Sequence, residues 1–291
     1  MNTFDYYRAA TLVEAFALMR DKTNYTLLAG GTDLLVKFNE KIMNPKIVLD
    51  LGLIKDMREI HFEGIGQVTL GALVTHTQVM ESQILQKYAP ALVKASSMVG
   101  SPQIRNRGTI GGNICNASPA ADTVPALIAL GAQIELTNEK QVRVIPLEEL
   151  FLGPGRTVLQ TGEILTKISL KALKPDQGSG FEKLGKRKAL AISVVNTGVF
   201  IEVDSKTRAI NEARIALGSV APTPIRIKKA ESLLLGKVLS PTLLKDVASV
   251  VASEIKPIDD IRSKAEYRRD VAGELVKRAV EEAWNKASFL G

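Results

Sequence analysis

Two glycine-centred segments, Ala29-Gly30-Gly31-Thr32-Asp33 and Thr109-Ile110-Gly111-Gly112-Asn113, carry the residue types most suited to chemistry in this 291-residue chain. Each follows a short apolar stretch that reads as a strand, and each runs from small residues to small polar ones. Without a Cβ in the way, backbone N–H groups at such turns approach a phosphate closely. Two of them in one chain could grip a pyrophosphate from both sides, which points to a dinucleotide cofactor. The first segment lacks the G-x-G-x-x-G spacing of a Rossmann turn and the Gly-Lys-Ser/Thr of a P-loop, and taken alone it reads equally as a tight turn. The second is richer. Gln103-Ile104-Arg105-Asn106-Arg107-Gly108 leads into it, and Asn116, Ser118 and Asp122 follow. Thr109, Asn113 and Asn116 can hydrogen-bond phosphate oxygens. The Asp122 carboxylate would repel a phosphate but can accept from sugar hydroxyls.

The elements that must position these segments follow from pattern. Thr11-Leu12-Val13-Glu14 has the form of a capping box, with Leu12, Ala15, Phe16 and Met19 at helical spacing behind it. Thr26–Ala29 and Lys46–Leu51 read as strands, so residues 1 to about 55 form a small α/β unit with the first turn at a strand's C-terminal end, where such sheets bind ligands. Val68–Ala72 reads as a strand, and Thr77–Val99 as helix interrupted at Pro90. Asp122 is placed as the N-cap of a helix that Gly131 ends, and Gln133–Leu136 with Val142–Ile145 as a hairpin. Lys174-Pro175-Asp176-Gln177-Gly178-Ser179-Gly180 marks a domain boundary. Beyond it, Ser193–Val203 and Ala213–Leu217 read as strands, followed by two helices. The last starts at a second capping box, Ser263–Glu266, with Tyr267, Val271, Leu275 and Ala279 on one face.

Composition excludes several classes. A single cysteine, Cys115, leaves no internal disulfide and no Cys-only metal or iron–sulfur site in this chain. His61 and His76 form no Ser/His/Asp, Cys/His or metal-ligand pattern, and both read as structural or exposed. The net charge of +7 and pI of about 9.4 raise the question of nucleic acid. The cations are dispersed, however, and the densest clusters, Lys183-Leu184-Gly185-Lys186-Arg187-Lys188 and Arg226-Ile227-Lys228-Lys229, carry no interleaved aromatic rings for base stacking. A solvated basic surface or an acidic protein partner fits better. There is no apolar run long enough to span a bilayer, and residues 1–5 do not begin a secretory leader, so the cytoplasm is the expected compartment.

The combined pattern, Leu-Ala-Gly-Gly-Thr-Asp-Leu-Leu from Leu28 and, later, Arg-Asn-x-Gly-Thr-Ile-Gly-Gly-Asn-x-x-Asn-Ala-Ser-Pro-x-x-Asp from Arg105, resembles the FAD-binding (medium) subunit of the molybdenum hydroxylases, of xanthine dehydrogenase and carbon monoxide dehydrogenase type. Gly218-Ser219-Val220-Ala221-Pro222-Thr223-Pro224 and Tyr267-Arg268-Arg269 resemble its C-terminal domain. The resemblance implies an α+β fold: a two-subdomain FAD-binding domain of vanillyl-alcohol-oxidase type over 1–176 (subdomains about 1–55 and 56–176), then an antiparallel sheet-and-helix domain over 177–291. It implies that Leu28, Ala29, Gly30, Gly31, Thr32, Asp33 and Leu34 wrap the FAD pyrophosphate on one side, and Thr109, Gly111, Gly112, Asn113 and Asn116 on the other. Asp122 would hold a sugar or ribityl hydroxyl, and Leu165 would be an apolar neighbour of the flavin. Lys183 falls near a lysine that approaches the flavin ring, and on its own residues reads equally as a solvated surface lysine. The 4-hydroxybenzoyl-CoA reductase branch has an extra cysteine-ligated cluster in this subunit, which the lone Cys115 cannot build.

The activity implied is electron transfer. FAD is bound non-covalently, while the molybdenum cofactor and two [2Fe–2S] clusters belong to large and small partner subunits in a dimer of heterotrimers, and the acceptor is of the NAD or quinone kind. Two alternatives are a stand-alone FAD oxidoreductase of vanillyl-alcohol-oxidase type, for which no separate substrate domain is visible, and a basic phosphate- or nucleic-acid-binding module without flavin.

Overall fold

A computed structural model of the chain describes residues 3–22, 24–187 and 190–288; Lys188 of the first basic cluster lies outside them. The first unit is β1 (Asp5–Arg8), α1 (Leu12–Asp21), β2 (Tyr25–Leu28), α2 (Leu34–Asn39) and β3 (Ile47–Asp50), a parallel sheet in the order β1-β3-β2. Thr11 caps α1 by accepting from the Glu14 N–H, and Ala15, Phe16 and Met19 are buried as the helical spacing predicts. Between β2 and α2 lies the first glycine turn, where Gly31 has φ +78°, a conformation open to glycine at little cost.

The second unit is built on an antiparallel sheet, β4-β5-β10-β6-β7, from β4 (Ile60–Glu63), β5 (Gln67–Gly71), β6 (Gln133–Thr137), β7 (Val142–Pro146) and β10 (Ile164–Lys171); β8 (Phe151–Gly153) and β9 (Arg156–Thr157) form a separate hairpin. Six helices join β5 to β6: α3 (His76–Glu81), α4 (Gln83–Tyr88), α5 (Pro90–Ser97), α6 (Pro102–Arg107), α7 (Ile110–Cys115) and α8 (Thr123–Ala129). The expected 77–99 helix is thus three. Ser82 ends α3 and caps α4 with its hydroxyl, a second break besides Pro90. The second glycine segment also departs from expectation. It follows helix α6, not a strand, and is itself the first turn of α7, capped by Thr109.

The third unit is the antiparallel sheet β11 (Gln177–Gly185), β12 (Ser193–Val203), β13 (Ile210–Gly218) and β14 (Ile225–Arg226), covered by α9 (Lys228–Leu234), α10 (Pro241–Glu254) and α11 (Ala265–Ser288). Three helices stand where two were expected. The Ser263 capping box does not form: the Ala265 N–H donates to Asp259 at 2.6 Å, and the Ser263 hydroxyl turns to the Lys264 carbonyl. Tyr267 is 51% exposed, so the buried stripe of α11 runs instead through Arg268, Ala272, Val276, Ala279 and Ala283, with Leu275 beside it. Arg268 holds the Gly218–Pro224 segment in place, donating to the Ser219 carbonyl at 2.8 Å and the Val194 carbonyl at 3.0 Å. Asp260 anchors the same guanidinium. Although desolvation works the other way, the Arg262 and Ser263 N–H groups and Arg268 together bring the Asp260 carboxyl down to about 2.

Among the described residues two large hydrophobic cores result, besides a small cluster of Ala91, Ala95, Ala126 and Phe181. One fills the first two units and reaches Phe200 and Ala216 of the third sheet; the other lies between that sheet and α9–α11. Glycines let main chains meet at both faces of the third sheet. A Cβ at Gly178 or Gly180 would stand 2.0 Å from the Ala283 carbonyl oxygen or 2.2 Å from that of Ala279 in α11, and one at Gly198 would stand 2.5 Å from the Pro125 oxygen in α8. Among the described residues no helix is long and apolar enough to cross a membrane.

Candidate functional site

The parallel sheet, α7 and β10 meet at a cleft with a cavity volume of about 420 Å³. Both glycine segments reach it. Ala29, Gly30, Gly31, Thr32, Asp33 and Leu34 line one side, and Thr109, Gly111, Gly112, Asn113 and Asn116 the other, with Leu165 of β10 among the apolar walls. The segments face each other closely: a Cβ on Gly112 would lie 3.9 Å from the Ala29 Cβ. Gly30 packs hard against the far side, where a Cβ would sit 2.1 Å from the Arg107 carbonyl oxygen.

The two segments offer different groups. Among the described residues, the backbone N–H groups of Ala29 through Asp33 have no protein acceptor, and all five of these residues line the cleft. In the second segment the Ile110 N–H donates to the Val74 carbonyl, Gly111 to Ala72, Gly112 to the Thr109 hydroxyl and Asn113 to the Thr109 carbonyl. The amides of Ile110 through Asn113 are therefore spent, and what these residues and Asn116 contribute is the bare Gly112 and the side chains of Asn113 and Asn116. Asn113 Oδ1 accepts from the Thr123 hydroxyl at 2.7 Å, which leaves the amide NH2 to donate. Open N–H groups, side-chain amides and apolar walls from Leu51, Met57, Leu73 and Leu159 suit a ligand with an anionic centre and a flat apolar end.

Three candidates from the sequence do not line the cleft. Leu28 packs behind the turn, its Cδ1 3.2 Å from where a Gly31 Cβ would be. Asp122 occupies the N-cap position of α8 but makes no capping bond. Its carboxylate, 7% exposed, accepts from the Ser193 hydroxyl and from Asn196 Nδ2 at 3.0 Å, and pairs with Lys183, whose ammonium also donates to the Met98 carbonyl at 2.9 Å. Lys183 is thus neither a solvated lysine nor a cleft residue; with Asp122 it ties β11 and β12 to the start of α8.

Other cleft residues were not singled out by their sequence. Lys37 of α2 donates to Asn116 Oδ1 at 2.7 Å, and Glu163 is gripped by the Arg143 guanidinium at 2.7 and 2.8 Å. His61 is exposed beside Glu59, whereas His76 is 2% exposed and lines the cleft with Nδ1 buried and unpartnered. Burial, helped by the nearby Arg105 charge, pushes His76 down to about 4, so it is neutral near pH 7. An unfolded chain protonates this histidine near 6.5, so between about pH 6.5 and 4 the unfolded state holds more protons and stability falls as pH drops. Urea unfolding at pH 7 and pH 4 is expected to show the wild-type chain losing about 3 kcal/mol more than His76→Gln; equal losses would mean the imidazole takes up its proton without unfolding. Cys115 is half-buried in the cleft wall, and desolvation pushes its thiol up to about 12, so no nucleophilic thiolate is present.

Comparisons with known proteins agree with this geometry. Residues 2–170 match the family model described as the FAD binding domain in molybdopterin dehydrogenase, and residues 181–283 match the CO dehydrogenase flavoprotein C-terminal domain. The chain is 32% identical to the xanthine dehydrogenase FAD-binding subunit of Escherichia coli O157:H7, over 96% of this chain and 95% of the relative. It is also 32% identical to the carbon monoxide dehydrogenase medium chain of Hydrogenophaga pseudoflava, over 98% of each. A solved structure of the Hydrogenophaga pseudoflava carbon monoxide dehydrogenase, in a form lacking the Mo-pyranopterin moiety, superposes with a TM-score of 0.93 over 98% of both chains at 33% identity. With open amides, a side-chain-free Gly112 and apolar walls all converging on one cleft, the chain belongs to the FAD-binding subunits of the molybdopterin dehydrogenases, a family of oxidoreductases.

Proposed function

We propose that this chain is the electron-transfer subunit of a molybdenum-containing hydroxylase complex in the cytoplasm. The Ala29–Asp33 turn and the Gly112–Asn116 side of α7 would hold the pyrophosphate of non-covalently bound FAD, and Leu165 would be an apolar neighbour of its flavin. We read the parallel sheet and the five-stranded sheet as the two subdomains, about 1–55 and 56–176, of a vanillyl-alcohol-oxidase type domain, followed by the 177–291 domain. The molybdenum cofactor and [2Fe–2S] clusters are assigned to large and small partner subunits, arranged as a dimer of heterotrimers, with NAD or a quinone as acceptor. Bound flavin takes up two electrons and releases them singly or in pairs; the protein binds, orients and shields it.

The observation that carries this reading is the pairing of a turn of unpaired amides with a cleft whose described lining holds no paired acid–base groups; Asp33 is the one carboxylate there without an ion-pair partner. His76 is neutral, the Cys115 thiol stays protonated, and Glu163 is committed to Arg143. A dehydrogenase acting alone on an organic substrate would need a group to move the substrate's proton.

The test is an absorption spectrum of the purified chain, with the ligand released by heat and chromatographed against FAD and FMN. Oxidised-flavin bands released as FAD are expected. A colourless chain that also fails to bind added FAD would overturn the reading, and turnover of a small substrate by the lone chain would favour the stand-alone oxidoreductase.

A further inference from the structure

The two sides of the cleft come from stretches of chain far apart in sequence, yet one side-chain hydrogen bond crosses between them. Lys37, one turn into α2 after the first glycine turn, donates from Nζ to Asn116 Oδ1 at the end of α7, 79 residues away. Both residues line the cleft. Lys37 is also the one cationic side chain among the described residues that do so; the other ionised groups there are Asp33 and Glu163, and Arg143 offsets the latter. The partner of Lys37 is a neutral amide oxygen, so its charge is not cancelled where it stands.

An ammonium held at a cleft wall without a counter-ion, beside a turn whose backbone N–H groups are also unspent, marks the place of a ligand's negative charge. We infer that Lys37 supplies the charge that neutralises the cofactor's pyrophosphate, with Asn116 as its tether, and so makes the cleft favour FAD over a flavin without phosphate. The inference rests on the FAD reading above and adds to it a residue and a source of selectivity. The tether matters because a free lysine side chain would lose much of its rotamer freedom on binding, and Asn116 removes part of that freedom beforehand. Lysine acts here as a compact point charge, so arginine at the same position keeps most of the effect while an uncharged chain of similar length does not.

The experiment measures FAD and riboflavin binding to the flavin-stripped chain by calorimetry, for wild type, Lys37→Met and Lys37→Arg, at low salt and at 1 M salt. Lys37→Met is expected to weaken FAD about 30-fold at low salt, the usual scale for loss of a charge-assisted hydrogen bond. Riboflavin affinity stays the same, Lys37→Arg recovers most of the FAD affinity, and the gap between wild type and Lys37→Met narrows in 1 M salt as screening tightens. Equal loss of FAD and riboflavin would reduce Lys37 to a strut between the two segments and overturn the inference, as would unchanged FAD affinity in Lys37→Met. A wild-type chain that binds neither flavin would overturn the FAD reading itself, and this inference with it.

Discussion

The Gly112→Val chain is expected to fold but to carry no FAD. Gly112 is in the first turn of α7, and a Cβ there would meet only the Thr109 hydroxyl at 2.8 Å and the Ala29 Cβ at 3.9 Å. A valine side chain therefore grows into the space between the two segments and holds a cofactor off the turn. The cost to the fold is modest: Thr109 rotates and gives up its cap, about 1 kcal/mol, while replacing a helical glycine by valine returns a few tenths. Neighbouring glycines would make poorer tests. A Cβ at Gly30 or Gly111 runs into the Arg107 or Ala72 main chain, at 2.1 and 2.6 Å, so those substitutions change the fold before they change binding. Flavin-to-protein ratio and a circular dichroism melt of the purified variant check the expectation. Full flavin occupancy with a native melt would place the second segment away from the cofactor.

The second large effect is on stability. Asp122→Ala is expected to destabilise the chain by about 3–5 kcal/mol, the range for breaking a buried ion pair by removing one partner. The side chains of Asp122 and Lys183 are only 9% and 6% exposed, and alanine would leave the Lys183 ammonium, the Ser193 hydroxyl and Asn196 Nδ2 without their shared acceptor. Urea unfolding of Asp122→Ala, with FAD affinity measured alongside, separates this role from the hydroxyl-binding one that the sequence implies. Unchanged stability with lost FAD affinity would return Asp122 to the cofactor.

What could be read from sequence divides along a physical line. The first turn was legible because its glycines serve a local need, a positive φ at Gly31 between a strand and a helix. The composition of the second segment was legible, but its form was not. Ile-Gly-Gly-Asn is a poor helix sequence, and the helix exists because Val74 and Ala72 accept its first amides. The same limit hid Lys37 and the cleft position of His76, whose sequence reads only as structural or exposed. Lysine on a short helix and histidine after Thr75 look ordinary, and only the folding of α2 against α7, and of α3 against Gly108, brings them to the cleft. Asp122 and Lys183 show the converse. Their residue types suit a cofactor, but strands laid down some 61 to 74 residues later supply partners that no local pattern announces. In the C-terminal domain Ser193–Val203 matched β12 because its β-branched and aromatic residues favour a strand that is buried on both faces, while the α11 cap moved to Asp259, a residue outside the capping-box spacing.

The glycines of the third sheet carry a further consequence. At Gly178, Gly180 and Gly198 the sheet meets α11 and α8 main chain to main chain. Side chains that interdigitate can change rotamers and settle into a second packing, which is how domain interfaces become switches. Backbone atoms in direct contact have no rotamers to exchange. The packing of α11 on the third sheet, and the point at Gly198 where α8 of the FAD-binding units meets that sheet, are therefore monostable contacts with no second packing to switch to.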